Sequence, residues 1–453
     1  SIVSYLNSIP NESVIGITYN SQQQIPTELR NLIESMGSKE IKNLKNFELW
    51  SFILKKGDNL NTNESKTISE ISKINGFIEH NNSKYSQNTY YLPREKNFDI
   101  VFSTIYDTSQ TVLNKVNKTN LRSNQNIANA LIISHLNFKA AADSLASYRM
   151  RANPELVVMS IDANDVYKEF NYGIKSPHSI KNFLEYIFKN WKSPRPKYLN
   201  LFGDASWDCR KIKPTSINID YLPTYGYPAS DYWYSLVEGD DYIPEISVGR
   251  IPVISLEQAF NYVKKLIEYD TIPNNPWMKN MLFLSGGDGL GQMTYFSEVL
   301  KSLARTLYNS PMCIDTFLIP KRDPTVGGEA EAGEIIQRIN QGMGWVTFLG
   351  HGSTSVFDMD GWQVEKLNNK GKYGFLTTLS CATGAFAEPE ITTRNEYYVL
   401  NPNKGFIAAG GGTYVGFADY VSDLHKRVLF TFIDSSSKLD TYIELLEIGR
   451  AHV

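Results

Sequence analysis

Two residues of this 453-residue chain have the types and the placement for nucleophilic chemistry. His351 and Gly352 close the apolar run GWVTFLGHG, and Cys381 follows a second apolar run in GFLTTLSCATGAF. A thiol and an imidazole that leave neighbouring parallel strands at their carboxyl ends can meet in the crevice there and make an acyl-transfer pair. Each residue alone is ambiguous, since a histidine after a strand is more often structural and a free cysteine is commonly a small buried hydrophobe. Their joint placement sets them apart: both follow apolar strands, and the spacing between them is one that a crossover connection between parallel strands allows.

Such a pair needs a parallel sheet to hold it, and the chain supplies the pattern. From Ala128 strand and helix signals alternate: ALIISH, a helix through Ala140 to Arg149, LVVMSI, a helix from Ser179 to Trp191, then YLNLFGD. A second alternation starts at MLFLSGGDG, passes through a helix over Phe296 to Tyr308, reaches the strands before His351 and Cys381, and ends at FIAAGGG. Alternation on this scale predicts βαβ units and parallel sheets. The expected fold class is therefore α/β, with two adjacent α/β subdomains whose mainly parallel sheets are flanked by helices. In GGDGLG the GxGxxG spacing is missing and no acidic residue closes a second strand, so a dinucleotide site is set aside.

Composition limits the partners. A net charge of -3 offers no basic stripe for nucleic acid, which is excluded as an expected partner. No apolar run reaches the roughly 18 to 20 residues that span a bilayer. Cys209, Cys313 and Cys381 form neither a disulfide framework nor a CxxC metal knuckle. Residues 1–20 lack the layout of a secretion signal and read as internal to a longer protein. The closing EIGRAHV reads as a non-native tail over residues 447–453, so His452 carries no functional weight.

Several blocks then carry a resemblance. ALIISH with Leu145, Tyr148 and Arg149; Val166, Tyr167 and Phe170 with Gly173; YLNLFGDASWD; SDYWY to GRIPV; GHGS; LSCATGAF; and NKGFIAAGGG stand in one order from Ala128 to beyond Gly412. Together they resemble the gingipain-type cysteine peptidases, relatives of the caspases. Asn7 to Pro10, Gly37 to Ile41 and Trp50 to Gly57 resemble the second half of the interleukin-like EMT-inducer domain. The resulting division is an inducer-domain remnant over 1–58, small and β-rich, a connector over 59–127, a first α/β subdomain over 128–275, and a caspase-like catalytic subdomain over 276–446.

The resemblance implies a cysteine endopeptidase, secreted or on the cell surface, acting on protein or peptide substrates and requiring no cofactor for catalysis. It assigns the nucleophile to Cys381, the proton carrier to His351, and an oxyanion site to the backbone N–H groups of Gly352 and Cys381. An orienting acid matches Asp288, which could equally be a turn former in a Gly-rich loop. Where Arg-specific gingipains carry a pocket acid, this chain has Met293, Thr294 and Tyr295, so a preference for basic side chains is not implied. Asp231, Asp240 and Asp241 could line a pocket, hold a structural calcium or be solvated turn residues. The N-terminal module could contact glycans. Three functions stay open: an endopeptidase, a sortase-like transpeptidase of the type IX secretion kind, and a silent surface binding module, against which the intact His351 and Cys381 pair argues.

Overall fold

The computed structural model describes residues 119–433 without a break, and before them residues 6–7, 14–20, 27–43, 49–55, 58–67, 77–80, 83–86 and 99–103. The tail expected at 447–453 lies outside these residues. Two compact units divide the chain, Ser1–Asn117 and Lys118–Val453.

The first unit contains β1 (Val14–Asn20), α1 (Thr27–Ser35), β2 (Leu49–Lys55), β3 (Asp58–Thr67), the hairpin β4 (Phe77–His80) and β5 (Ser83–Ser86), and β6 (Asp99–Ser103). Four of these strands form a sheet in the order β3-β2-β1-β6. Strands from the expected connector thus pair with strands from the expected remnant: β1 takes β2 on one side and β6 on the other, both antiparallel.

In the second unit a first α/β layer comprises β7 (Ala130–Ser134), α2 (Lys139–Ala152), β8 (Val158–Asp162), α3 (Ala163–Asn171), α4 (Pro177–Asn190), β9 (Tyr198–Phe202), β10 (Ser247–Ile251) and α5 (Leu256–Thr271). Its sheet runs β10-β9-β7-β8, every pair parallel. Helix starts follow local chemistry. Ser176 accepts from the His178 N–H with Pro177 as the first helical residue, and the Ser255 hydroxyl accepts from Gln258.

The second layer comprises β11 (Asn280–Ser285), α6 (Leu290–Tyr308), β12 (Asp315–Pro320), α7 (Glu329–Gln341), β13 (Trp345–Leu349), β14 (Phe375–Leu379), α8 (Arg394–Leu400), β15 (Ala408–Gly411) and α9 (Ala418–Ile433). Its sheet runs β12-β11-β13-β14-β15, again parallel throughout. The chain goes from β11 outward to β12 and returns on the other side of β11 to β13. The order therefore reverses between β11 and β13, where open α/β sheets bind ligands.

Side chains alternate between faces along each strand, and the two faces bury into different cores. Ile132, Phe202, Leu282, Val346 and Phe348 enter one core shared by the two sheets, which is filled by residues of α2, α5, α7 and α8. Leu131, Ile133 and Leu199 pack outward under α3 and α4. Phe283, Trp345 and Leu379 pack outward under α6, with Leu429 of α9. The all-parallel sheets and their flanking helices match the fold class expected from the alternation.

Candidate active site

Four loops converge at the carboxyl edge of the second sheet, those after β11, β13, β14 and β15. Parallel pairing sets Leu349 of β13 opposite Leu379 of β14. His351 and Cys381 each stand two residues beyond that pair, in the turns that leave two strands that sheet geometry keeps about 4.8 Å apart. His351 is exposed and Cys381 half-buried.

Gly352 lets the two turns approach. A Cβ built there would sit 2.4 Å from Ser380 Oγ and 3.1 Å from Thr383 Cγ2, so a larger residue would push against the turn that carries the thiol. Gly352 also lies opposite Phe357 in a short antiparallel bridge. The bonds of that bridge run from Asp358 N to His351 O and from Ser353 N to Val356 O, which leaves the Gly352 N–H outside it. The Cys381 Sγ lies 3.7 Å from Gly416 O in the loop after β15, and the Ala382 N–H donates to Tyr414 O at 2.9 Å. Ala382 itself takes a left-handed conformation at φ 52°, which sharpens the turn at the thiol.

At the imidazole, Asp288 Oδ2 stands 3.5 Å from Nε2. Gln292, in the first turn of α6, is closer: its Oε1 is 2.8 Å from Nε2 and also accepts from the Asp288 N–H at 2.9 Å. An oxygen that accepts from a backbone amide must receive the ring contact as an acceptor too, so Nε2 carries the proton and Nδ1 keeps its lone pair. Gln292 had no motif to announce it; its only signal was its place one helical turn from Asp288.

Asp358 is a second residue that the sequence did not single out. Its carboxylate accepts from the Gly287 N–H at 2.6 Å, and its own N–H holds His351 O, so it joins the Asp288 loop to the histidine loop. Gly286 and Gly350 press on it closely enough that a Cβ at either would overlap Oδ1, which has no hydrogen-bond partner. Burial raises its carboxyl above the usual aspartate range. The buried Lys321, whose Nζ donates to Gly287 O at 3.2 Å, offsets part of that rise.

The cysteine loop is braced from behind and from the side. Thr383 Oγ1 and Thr378 Oγ1 share a hydrogen bond at 2.7 Å, and Asn395 Nδ2 of α8 donates to the latter at 3.0 Å. From the first layer, the Trp207 N–H reaches Ala387 O at 3.0 Å, and Asn218 Nδ2 donates to Glu388 O at 2.6 Å and Ile391 O at 3.1 Å.

The three acids considered for a pocket or calcium are not gathered at one place. Asp231 is held by Arg250 through Nε at 2.7 Å and Nη2 at 2.9 Å, and a cation could take it only by breaking that pair. Asp240 and Asp241 lie in an exposed turn, where Asp241 caps the Ile243 N–H. Among the described residues no group of three or more His, Cys, Asp or Glu side chains is placed to hold a metal ion. No described helix is long and apolar enough to cross a membrane.

Comparison with known proteins bears on this arrangement. Residues 123–452 match the family model of Peptidase family C25, and residues 1–58 match that of the Interleukin-like EMT inducer. No curated protein matches the chain. Among solved structures, the Arg-specific cysteine proteinase gingipain R (RgpB) has 17% identity and a TM-score of 0.52, over 72% of this chain and 76% of that one. The complex of the RgpB pro- and mature domains from Porphyromonas gingivalis has 17% identity and a TM-score of 0.52, over 66% and 68%. A structure described only as a protease has 20% identity and a TM-score of 0.50, and this chain spans 60% of its length. At these identities the likeness is one of fold.

Proposed function

Since the chain belongs to peptidase family C25, we propose that it is a cysteine endopeptidase in which Cys381 is the nucleophile and His351 the proton carrier. The observation that carries the reading is the matched register of β13 and β14, which sets both residues two positions past the Leu349 and Leu379 pair. With Nε2–H bonded to Gln292, Nδ1 is the atom that takes the thiol proton as Sγ attacks the scissile carbonyl carbon. The carbonyl π electrons move onto oxygen, and the N–H groups of Gly352 and Cys381 are the donors we assign to stabilise it. Collapse expels the amine, which takes the proton back from His351, and water then hydrolyses the thioester. Gln292 and Asp288 act through the ring, one fixing its tautomer and the other facing the imidazolium as it forms.

A peptidyl acyloxymethyl ketone read by intact mass tests the assignment. One adduct is expected on Cys381, none in Cys381→Ala, and labelling slower by about a hundredfold or more in His351→Ala. Equal labelling of Cys209 or Cys313, or a folded protein that takes no adduct, would sink the assignment and favour a binding module.

A further inference from the structure

The loop beside the thiol carries large apolar side chains on its outside. Flanking Gly416, whose carbonyl is the one 3.7 Å from Cys381 Sγ, Tyr414 is 51% exposed, Val415 62% and Phe417 71%. Tyr420, in the first turn of α9, is 77% exposed, with its ring centroid 6.3 Å from that of Phe417. On the histidine side, α6 opens with the exposed Leu290 and Tyr295. The ring of Phe296, next to Tyr295, stands 6.3 Å from the His351 ring. The Tyr295 hydroxyl donates to Asp419, which ties the start of α6 to the start of α9 across the site.

Exposed apolar surface in such a concentration marks a binding surface, and aromatic side chains lose little rotamer entropy when covered. Its position against the nucleophile identifies the occupant as the substrate chain. Charge narrows the class further. Over residues 288–296 and 412–420 the carboxylates are Asp288, which faces His351, and Asp419, which accepts from Tyr295, and the two stretches contain no Lys or Arg. An incoming anion would meet only like charge, and an incoming cation would find Asp419 engaged by Tyr295 and Asp288 exposed beside the imidazole, where water screens its charge.

Resting on the peptidase reading above, we propose that the substrates are extended peptides with an aromatic or large aliphatic side chain at the residue whose carbonyl carbon Cys381 attacks, and that Val415 and Phe417 determine this preference. A fluorogenic tetrapeptide library, fixed in turn at the attacked residue, tests it on the full chain. Phe, Tyr, Leu or Met is expected to exceed Arg, Lys and Asp in kcat/KM by at least about tenfold, the scale on which apolar pockets discriminate. Val415→Ser and Phe417→Ser should each lower kcat/KM on the Phe peptide about tenfold. Phe417→Leu should retain most of it, and iodoacetamide should alkylate Cys381 at the wild-type rate in all three. Preference for Arg or Lys, a flat profile, or serine variants with wild-type kcat/KM overturns the proposal while leaving the peptidase intact. If no peptide is turned over and no peptidyl ketone labels Cys381, the peptidase reading falls and this one falls with it.

Discussion

At the histidine, the neutral Gln292 is better placed than the acid Asp288 to set the ring. Its Oε1 lies 2.8 Å from Nε2 against 3.5 Å for the carboxylate, and the Asp288 side chain is 69% exposed, where water screens its charge. Gln292→Leu removes the acceptor that holds the tautomer and is expected to lower kcat by about tenfold to a hundredfold with little change in KM. Asp288→Asn should cost less than about fivefold, the scale of an exposed charge pair. Steady-state kinetics on one peptide decide between them: the reverse ranking would make Asp288 the orienting group. Gln292→Glu adds a sign. An anion beside the ring favours imidazolium, so the acid limb of the kcat/KM profile should move to higher pH.

At the scale of elements, the site depends on two turns that must touch. Gly352→Ala would bring a methyl group to 2.4 Å from Ser380 Oγ, closer than side chains pack, so the cysteine turn must shift. Misplacement of this kind is worth about a hundredfold in rate, with only a modest change in melting temperature expected. Ser380 Oγ has no hydrogen-bond partner, so adding Ser380→Ala removes the obstruction at little cost and should restore part of the activity. A double variant no better than the single would place the strain elsewhere. The strands before His351 and Cys381 were legible because an apolar run closing on Gly or Ser is a local signal. The braces were not: Asn218 meets the backbone of Glu388 and Ile391 across about 170 residues, and nothing near Asn218 in sequence announces that partner. Asp358 was hidden for the same reason, since its role depends on Gly287 in another loop. The pairing of β6 with β1 likewise joins segments about 80 residues apart.

Over the whole second unit, the two sheets meet through a shared core and through ionisable groups that water does not reach. Asp204, just past β9 of the first sheet, and Glu396, on α8 against the second, are both buried. Burial raises both carboxyls, and the nearby Glu396 carboxylate raises Asp204 further; Asp204 lies well above the usual aspartate range and Glu396 is pushed up to about 7. Glu396 Oε2 accepts from the N–H and hydroxyl of Thr393, bonds that a glutamine oxygen can keep. An acid whose carboxyl is raised on folding favours the folded state while protonated. That contribution is complete below about 4.5, the value of a solvated glutamate, and is lost as pH rises from there through about 7. Glu396→Gln removes the ionisation. Its melting temperature should exceed that of the wild type by several degrees at pH 8, the equivalent of roughly 3 kcal/mol at most, with the gap closing toward pH 5. Parallel melting curves for the two proteins from pH 5 to pH 8 would show that the buried pair does not hold this proton.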